Sequence, residues 1–368
     1  MKIFHCADLH LDAGADTRLG AARGQVRRDE LLLTFQRLLH TADEEGADAL
    51  LLCGDLFDRD HVSRTAAAVV RDAILSHPAL KVYYLRGNHD RTSALAETEL
   101  PNLFLFDGGW TSYTLASSPV PVILTGAEIT PPPPGGTPSL WASLRLRPDA
   151  VNIVMLHGQI LPGNTADGPE EIPLGALRGR NIDLLALGHI HKPQREALDA
   201  RGTCIYAGCL EGRGFDECGP RGYWVHEISP ETGGKLCSTF RPFASRTLYD
   251  LRVSADGCAS SHAIAQRIRT ALSEGDISTD DLVRIRLTGA LPADGEKSTA
   301  YLQHQFEGLF FYLEILDETT LTVDFEDYLY DASFTGAFVR AVQARTDLQP
   351  QEKAAVIRLG LEALRGGG

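Results

Sequence analysis

Five short stretches of this chain place metal-capable side chains directly after apolar runs: Asp8-Leu9-His10, Gly54-Asp55, Gly87-Asn88-His89-Asp90, His157-Gly158 and Gly188-His189-Ile190-His191. Imidazole nitrogens mixed with carboxylate and amide oxygens suit Mn, Fe or Zn better than Ca. Two such ions about 3.5–4 Å apart clamp a phosphate and generate a nucleophile from water near neutral pH. That chemistry needs several donors per ion and one carboxylate shared between them. Asp8, His10, Asp55 and His191 can serve one ion, and Asp55, Asn88, His157 and His189 the other, which makes Asp55 the bridge. Taken singly, an Asp or Asn after a strand is most often a turn former or a helix cap. The reading rests on the five stretches as an ordered set.

Side chains so far apart in sequence converge only if rigid elements carry them. Residues 3–7 have the length of a buried strand that ends at Asp8. Residues 28–45 carry Leu31, Leu32, Phe35, Leu38, Leu39 and Ala42 at helical spacing, with Gly46 placed to stop the helix. Residues 48–53 are an apolar run delivering Gly54-Asp55, residues 64–76 read as the next helix, and residues 81–85 as the strand before Gly87-Asn88-His89-Asp90. Alternation of this kind, with near-continuously apolar strands, predicts an α/β fold whose sheets are buried on both faces. Further strands are expected at 103–106, 112–115, 120–125, 151–156, 182–187, 203–207 and 222–228. The proline-rich segment 130–136 reads as a surface loop, because proline has no N–H to donate. The Gly/Asn/Asp-rich segment 163–168 is a candidate lining for a substrate entrance.

With 368 residues and 43% hydrophobic content, the chain is long enough for two domains. The metal-capable pattern stops near the turn-rich residues 229–234, which suggests a first domain over 1–245 and a second over 246–368. Strands at 248–253, 282–287 and 309–316 and helices at 262–272, 298–307, 334–344 and 351–364 make the second a small α/β unit. Seven cysteines are scattered without a Cys-x-x-Cys pair, which indicates neither a disulfide framework nor a zinc knuckle and fits a reducing cytoplasm. The first apolar stretch is broken at Asp8 and no later run approaches a membrane span, so neither export nor membrane insertion is expected.

In their order, Asp-x-His, Gly-Asp, Gly-Asn-His-Asp, His-Gly and Gly-His-x-His resemble the signature of the calcineurin-like metallophosphoesterases, over roughly residues 3–210. Within that superfamily, residues 7–12, 54–58 and 188–193 are similar to the SbcD group of DNA repair exonucleases. Residues 206–213 with Glu217 and Gly222 are similar to its YhaO-like branch. The resemblance implies a four-layer αββα sandwich, with residues 246–368 as a C-terminal capping domain that binds DNA or a partner. It also implies two divalent ions, Mn first with Fe, Zn or Mg as alternatives, and in-line departure of a 3′ oxygen from phosphorus. That oxygen needs a proton or a hydrogen bond as it leaves. His89, next to Asn88 but outside the ligand set, is the candidate for this role, and Asp90 the candidate to orient its imidazole. Arg18, Arg23, Arg27 and Arg28 form a basic cluster suited to a phosphate backbone. Asp12, Asp58 and Asp60 are explained equally well by loop solvation or by hydrogen bonds to arginine.

The function implied is metal-dependent hydrolysis of DNA in repair, as a 3′-to-5′ exonuclease with single-strand endonuclease action. Two alternatives stay open: a phosphodiesterase or phosphatase for a small nucleotide, and a mainly structural subunit of a complex with an SbcC-like SMC-family ATPase. For the latter, Ala354, Ala355, Ile357, Leu361 and Leu364 lie at helical spacing and form a candidate docking face. A homodimer is a further alternative. The formal net charge of -14 argues against holding DNA by the overall field, and leaves that task to a local basic groove or to bound cations.

Overall fold

Two compact units make up the chain, Met1–Thr247 and Leu248–Gly368. The computed structural model describes every residue except 14–16, 59–61, 91–94, 96–98, 133–135, 167, 230–232, 293–296, 324 and 367–368. In the first unit β1 (Lys2–Cys6) is followed by α1 (Gly20–Glu44), β2 (Ala49–Cys53), α2 (Arg64–Leu75) and β3 (Lys81–Leu85). Then come β4 (Leu103–Leu105), β5 (Thr111–Ala116), β6 (Val122–Gly126), α3 (Gly136–Ser143) and β7 (Val151–His157). The short pair β8 (Gln159–Leu161) and β9 (Glu171–Pro173) leads to α4 (Leu174–Leu177) and β10 (Leu184–Gly188). Strands β11 (Gln194–Ala197), β12 (Thr203–Tyr206), β13 (Gly222–Ser229) and β14 (Lys235–Pro242) complete the unit.

These strands build two six-stranded sheets, ordered β14-β13-β1-β2-β3-β4 and β11-β12-β10-β7-β6-β5. Because side chains alternate along a strand, each strand serves two cores. Ala49, Leu51 and Cys53 of β2 share one cluster with Ile153 and Met155 of β7, so the two sheets pack face to face. The intervening Leu50 and Leu52 join Phe35 and Leu38 of α1 and Ile74 of α2. On the other side Val154 and Leu156 join Leu140 and Trp141 of α3 and Leu177 of α4. The layers therefore run helix, sheet, sheet, helix, as the resemblance implied. Strands β1, β2 and β3 are mutually parallel, as are β6, β7, β10 and β12. Their C-terminal ends release Asp8, Asp55, Asn88, His157 and His189.

Three local expectations shift. Helix α1 starts at Gly20, well before residue 28, because its first turns are built of Gly, Ala and Arg and carry no apolar spacing to read. Beyond the turn-rich stretch 229–234, of which residues 230–232 lie outside the described residues, Lys235–Pro242 is an unexpected strand, pairing antiparallel with β13 from Ser229↔Lys235 to Gly222↔Pro242. Helix α3 begins where the proline-rich segment ends, at Gly136, and residues 133–135 of that expected loop lie outside the described residues.

The second unit contains β15 (Leu248–Ser254), α5 (Ser261–Glu274), β16 (Leu282–Thr288), β17 (Ala290–Pro292), α6 (Thr299–Gln305), β18 (Tyr312–Asp317), β19 (Thr320–Thr322), α7 (Phe334–Gln343) and α8 (Pro350–Gly366). Strands β15, β16 and β18 form a parallel sheet. One face, with Val253, Val283, Ile285 and Ile315, packs on Ile264 and Ile268 of α5 and Leu302 of α6. Ser260, Ser298 and Ser333 cap α5, α6 and α7 through side-chain oxygens that accept the N–H groups of Ala263, Tyr301 and Gly336. Helices α7 and α8 touch closely at Gly360, where an added Cβ would lie 2.2 Å from the Phe338 ring. This packing corrects the expected docking face of α8. Ile357 and Leu361 are buried against Val339 and Val342, and Ala354 is buried too. Helical spacing marks a buried face as readily as a docking face.

Candidate metal centre

The strand ends bring Asp8, His10, Asp55, Asn88, His157, His189 and His191 together. Asp8, His10, Asp55 and His157 are each no more than 2% exposed. His10 Nε2 lies 3.8 Å from Asp55 Oδ2, and His157 Nε2 lies 3.4 Å from the same oxygen. Asp55 Oδ2 thus points between the two histidines assigned to different ions. The other Asp55 oxygen accepts the backbone N–H of His89 at 2.9 Å. Both Asp8 oxygens accept the backbone N–H of His189, at 2.9 and 3.1 Å. Asn88 Oδ1 lies 2.9 Å from His157 Nε2 and 3.4 Å from His189 Nδ1.

The backbone is bent to reach this arrangement. Asp8, His10, Asp55 and His189 have φ of +52, +46, +51 and +95°, a region that costs a non-glycine residue roughly 1–3 kcal/mol. Two glycines allow the close approach. A Cβ on Gly54 would meet His157 Nδ1 at 2.1 Å, and one on Gly87 would meet Asp55 Oδ1 at 2.1 Å.

The donor set fits divalent cations. His157 Nδ1 donates to the Cys53 carbonyl at 2.8 Å, which turns the Nε2 lone pair toward the oxygens of Asn88 and Asp55. His10 Nε2 and His191 Nε2 face each other at 3.2 Å. Lone pairs so gathered repel unless a proton or a cation lies among them. The titration behaviour agrees. Burial lowers the His157 pKa, but the Asp55 carboxylate overrides it and raises it to about 9. Burial opposes ionisation of Asp55 too, yet the His157 hydrogen bond and the His157 and His10 charges hold it well below the carboxylate range. Burial pushes Asp8 up. Candidate metal-holding groups are Asp8-His10-His191, Asp8-Asp55-His157 and His10-Asp58-His89, each with ligand atoms within 4.8 Å of one another.

His89 is on the open side of the cluster, with its ring edge-on to His10 at 4.9 Å and a side-chain exposure of 45%. Asp90 does not orient it. Asp90 accepts from the backbone N–H groups of Leu56 (2.8 Å) and Gly87 (2.6 Å) and from the Tyr84 hydroxyl. Its side chain turns inward and fixes the loop instead. The group beside the His89 imidazole is Asp58, whose carbonyl lies 3.0 Å and whose carboxylate lies 3.7 Å from Nδ1.

The basic cluster divides. Arg18 and Arg23 are exposed and Arg28 half-buried, with Arg28 donating to Gln25 Oε1 at 2.6 Å. Arg27 is only 5% exposed. It pairs with Glu30, donates to Glu211 at 3.2 Å and to the Gly212 carbonyl at 2.8 Å. Arg27 falls on the buried face of α1 with Leu31 and Thr34, so it ties that helix to the loop after β12 and is not available to a substrate. Asp12 accepts from the Ser63 N–H at 2.8 Å, and Asp60 lies outside the described residues.

Three groups at the site escaped sequence reasoning as functional residues. Asp58 Oδ1 lies 3.0 Å from His10 Nδ1, outside hydrogen-bond alignment. Glu217 Oε1 accepts from His191 Nδ1 at 2.5 Å. Arg213 reaches both carboxylates, at 3.2 Å to Asp58 and 3.4 Å to Glu217. Asp58 closes the Gly54–Asp58 motif and Glu217 follows the Gly212-Arg213 pair, but nothing in sequence tells which histidines they face.

Comparison with known proteins bears on the same stretch. The pattern of the family described as calcineurin-like phosphoesterase matches residues 1–193, more than half of the chain. The DNA double-strand break repair protein Mre11 of Methanopyrus kandleri is 28% identical over 324 residues, 81% of this chain and 67% of its own length. The metallophosphoesterase YhaO of Bacillus subtilis is 26% identical over 249 residues, 66% of this chain and 60% of its own. Mre11 of Aeropyrum pernix is 28% identical over 57% of this chain and 53% of its own. Among solved structures, a dimetal phosphatase from Danio rerio overlaps 65% of this chain and 98% of its own, with a TM-score of 0.42 and 13% identity. With the family pattern spanning all but the last strands of the sandwich, the chain belongs to the calcineurin-like phosphoesterase family, enzymes that hydrolyse phosphoesters.

Proposed function

We propose that the chain is a metal-dependent DNA exonuclease of the repair type, acting 3′-to-5′ with single-strand endonuclease action. The observation that carries the reading is Asp55 Oδ2, directed between His10 and His157 within 3.8 and 3.4 Å. In this reading Asp8, His10, Asp55 and His191 hold one ion and Asp55, Asn88, His157 and His189 the other, with Mn the first choice and Fe, Zn or Mg behind it. Bound there, divalent ions supply Lewis-acid neutralisation of the phosphate and acidify water. The chain's own residues do the rest. His89 presents an exposed imidazole on the open side of the cluster, where it gives a proton or hydrogen bond to the departing oxygen, and Asp58 keeps the ring from turning. Exposed Arg18 and Arg23, with Arg28, hold the strand by its phosphates. DNA as substrate is supported by two relatives named for double-strand break repair.

Residues 246–368 serve in this reading as the capping unit that binds DNA or a partner, an SbcC-like SMC-family ATPase. Support comes from apolar side chains left open there: Phe334 is 74%, Leu359 67% and Tyr330 94% exposed. The seven cysteines form no disulfide, which supports action in the cytoplasm. No helix among the described residues is long and apolar enough to cross a membrane. The experiment is a comparison of substrates with Mn present. Release of mononucleotides from linear DNA, faster than turnover of bis-p-nitrophenyl phosphate or cyclic nucleotides, supports the nuclease. Turnover of cyclic nucleotides alone would replace it with a small-nucleotide phosphodiesterase.

A further inference from the structure

The two halves of the metal centre are supported by different means. On one side His157 is fixed by a backbone group, donating Nδ1–H to the Cys53 carbonyl at 2.8 Å. On the other, His191 and His10 are each backed at Nδ1 by a carboxylate. Glu217 Oε1 lies 2.5 Å from His191 Nδ1, and Asp58 Oδ1 lies 3.0 Å from His10 Nδ1. The same two oxygens are the ones Arg213 reaches, with one terminal nitrogen on Asp58 Oδ1 at 3.2 Å and the other on Glu217 Oε1 at 3.4 Å. The Arg213 backbone N–H also donates to Glu217 Oε2 at 2.7 Å.

We propose that Arg213 is a positioning residue: a brace that joins Asp58 and Glu217 so that His10 and His191 keep their Nε2 lone pairs on one cation position. The inference rests on the metal centre proposed above and adds to it a residue outside the proposed ligand set. Three observations support it. Glu217 is only 5% exposed, and a buried carboxylate is retained only with charged or hydrogen-bonded partners; Arg213 supplies both kinds. The loop that carries Arg213 and Glu217 is itself pinned to His191, because Cys209 N–H donates to the His191 carbonyl at 3.0 Å. Buried Arg221 donates to that carbonyl at 3.1 Å and to the Glu217 carbonyl at 3.0 Å. Finally, a planar guanidinium holds its two terminal nitrogens in a fixed fork, one for each carboxylate, whereas a lysine ammonium is a single point charge on a flexible stem. Carboxylates behind ligating imidazoles fix the tautomer and raise ligand basicity, so the brace governs one cation position and not the other.

The test is calorimetric titration of the metal-stripped, full-length protein with Mn2+, which reads two binding steps without any turnover. Arg213→Gln and Glu217→Gln should each weaken one step by about 10–100-fold and leave the other within about twofold. Arg213→Lys should restore less than half of that loss on a logarithmic scale. Melting of the metal-free variants within about 5 °C of the parent shows that the fold is intact. If Arg213→Gln does not fold, isosteric Glu217→Gln carries the same expectation. Both steps unchanged, or both weakened equally, would overturn the brace. Asp55→Asn separates this from failure of the metal centre itself. If that variant keeps both steps, the centre is misassigned and the brace falls with it, whereas loss in Asp55→Asn with unchanged Arg213→Gln overturns the brace alone.

Discussion

Charged groups gather in both units of the chain, but they are neutralised differently. In the second unit Arg284 of β16 meets Asp250 of β15 at 3.6 Å and Glu314 of β18 at 2.6 Å, and Arg286 meets Asp250 at 2.9 Å. Guanidinium and carboxylate answer each other across parallel strands, on the face of the sheet opposite its apolar core. In the first unit Asp8 and Asp55 are buried among imidazoles, and among the described residues the charged partners of Asp55 are His10 and His157. Among the described residues, every group that could hold a metal lies in that first unit. Charges that pair off stabilise a fold. A buried set whose carboxylates face only titratable imidazoles marks a place where a cation can take the protons' position.

The contrast can be broken most severely at Asp55. Asp55→Asn removes the shared negative charge and should lower the phosphodiesterase rate by about 10³-fold, measured on bis-p-nitrophenyl phosphate at saturating Mn. A rate within tenfold of the parent would mean that Asp55 is not the bridge. Next, His89→Gln should cost about 10²-fold in kcat while metal content by mass spectrometry stays at two ions; an unchanged kcat removes the leaving-group role. In the second unit the effect should be on stability alone. Arg284→Ala takes from Glu314 its guanidinium partner, while Asp250 keeps Arg286, and should cost about 2 kcal/mol in urea unfolding followed on the second unit, with hydrolysis unchanged.

A last effect, on the pH dependence of stability, distinguishes buried histidines that are structural from those at the centre. His5 and His226 face the core between the two sheets, both fully buried, with His226 Nε2 3.2 Å from His5 Nδ1 and His226 Nδ1 2.8 Å from Ser238 Oγ. Burial depresses both, His5 to about 3 and His226 well below its usual value. The unfolded chain therefore takes up protons that the folded one excludes. Their stabilisation is present above pH ~6.5 and is lost as pH falls below it, by up to about 1.4 kcal/mol per unit for each histidine. Chemical denaturation between pH 6.5 and 5 should show this slope, and His226→Gln should flatten it; an equal slope in the variant would reject the assignment.

Much of the sandwich was readable from the order of residues, for a physical reason. Strands buried on both faces are apolar at nearly every position, and the ligands follow them at once, so β1, β2, β3, β7 and β10 announce both themselves and their tips. What depends on contacts between distant segments was not readable. Asp90 adjoins His89 in sequence, yet its side chain turns toward Tyr84 and Leu56. Arg27 and Arg23 are one helical turn apart, and only one of them faces the core. Strand β14 hid behind a turn because its Lys235-Leu-Cys-Ser-Thr run, at a sheet edge, needs little apolar content. The carboxylates of Asp58 and Glu217 acquire meaning only when β10 and the loop after β12 bring His191 beside them.

The central claim is that Asp55 joins two cations. Crystals soaked in Mn2+ and measured near the manganese absorption edge address it directly. The account predicts two anomalous peaks about 3.5–4 Å apart, with Asp55 Oδ2 touching both, His10 and His191 on one, and His157 and Asn88 on the other. A single peak, or two peaks of which Asp55 touches only one, would contradict it.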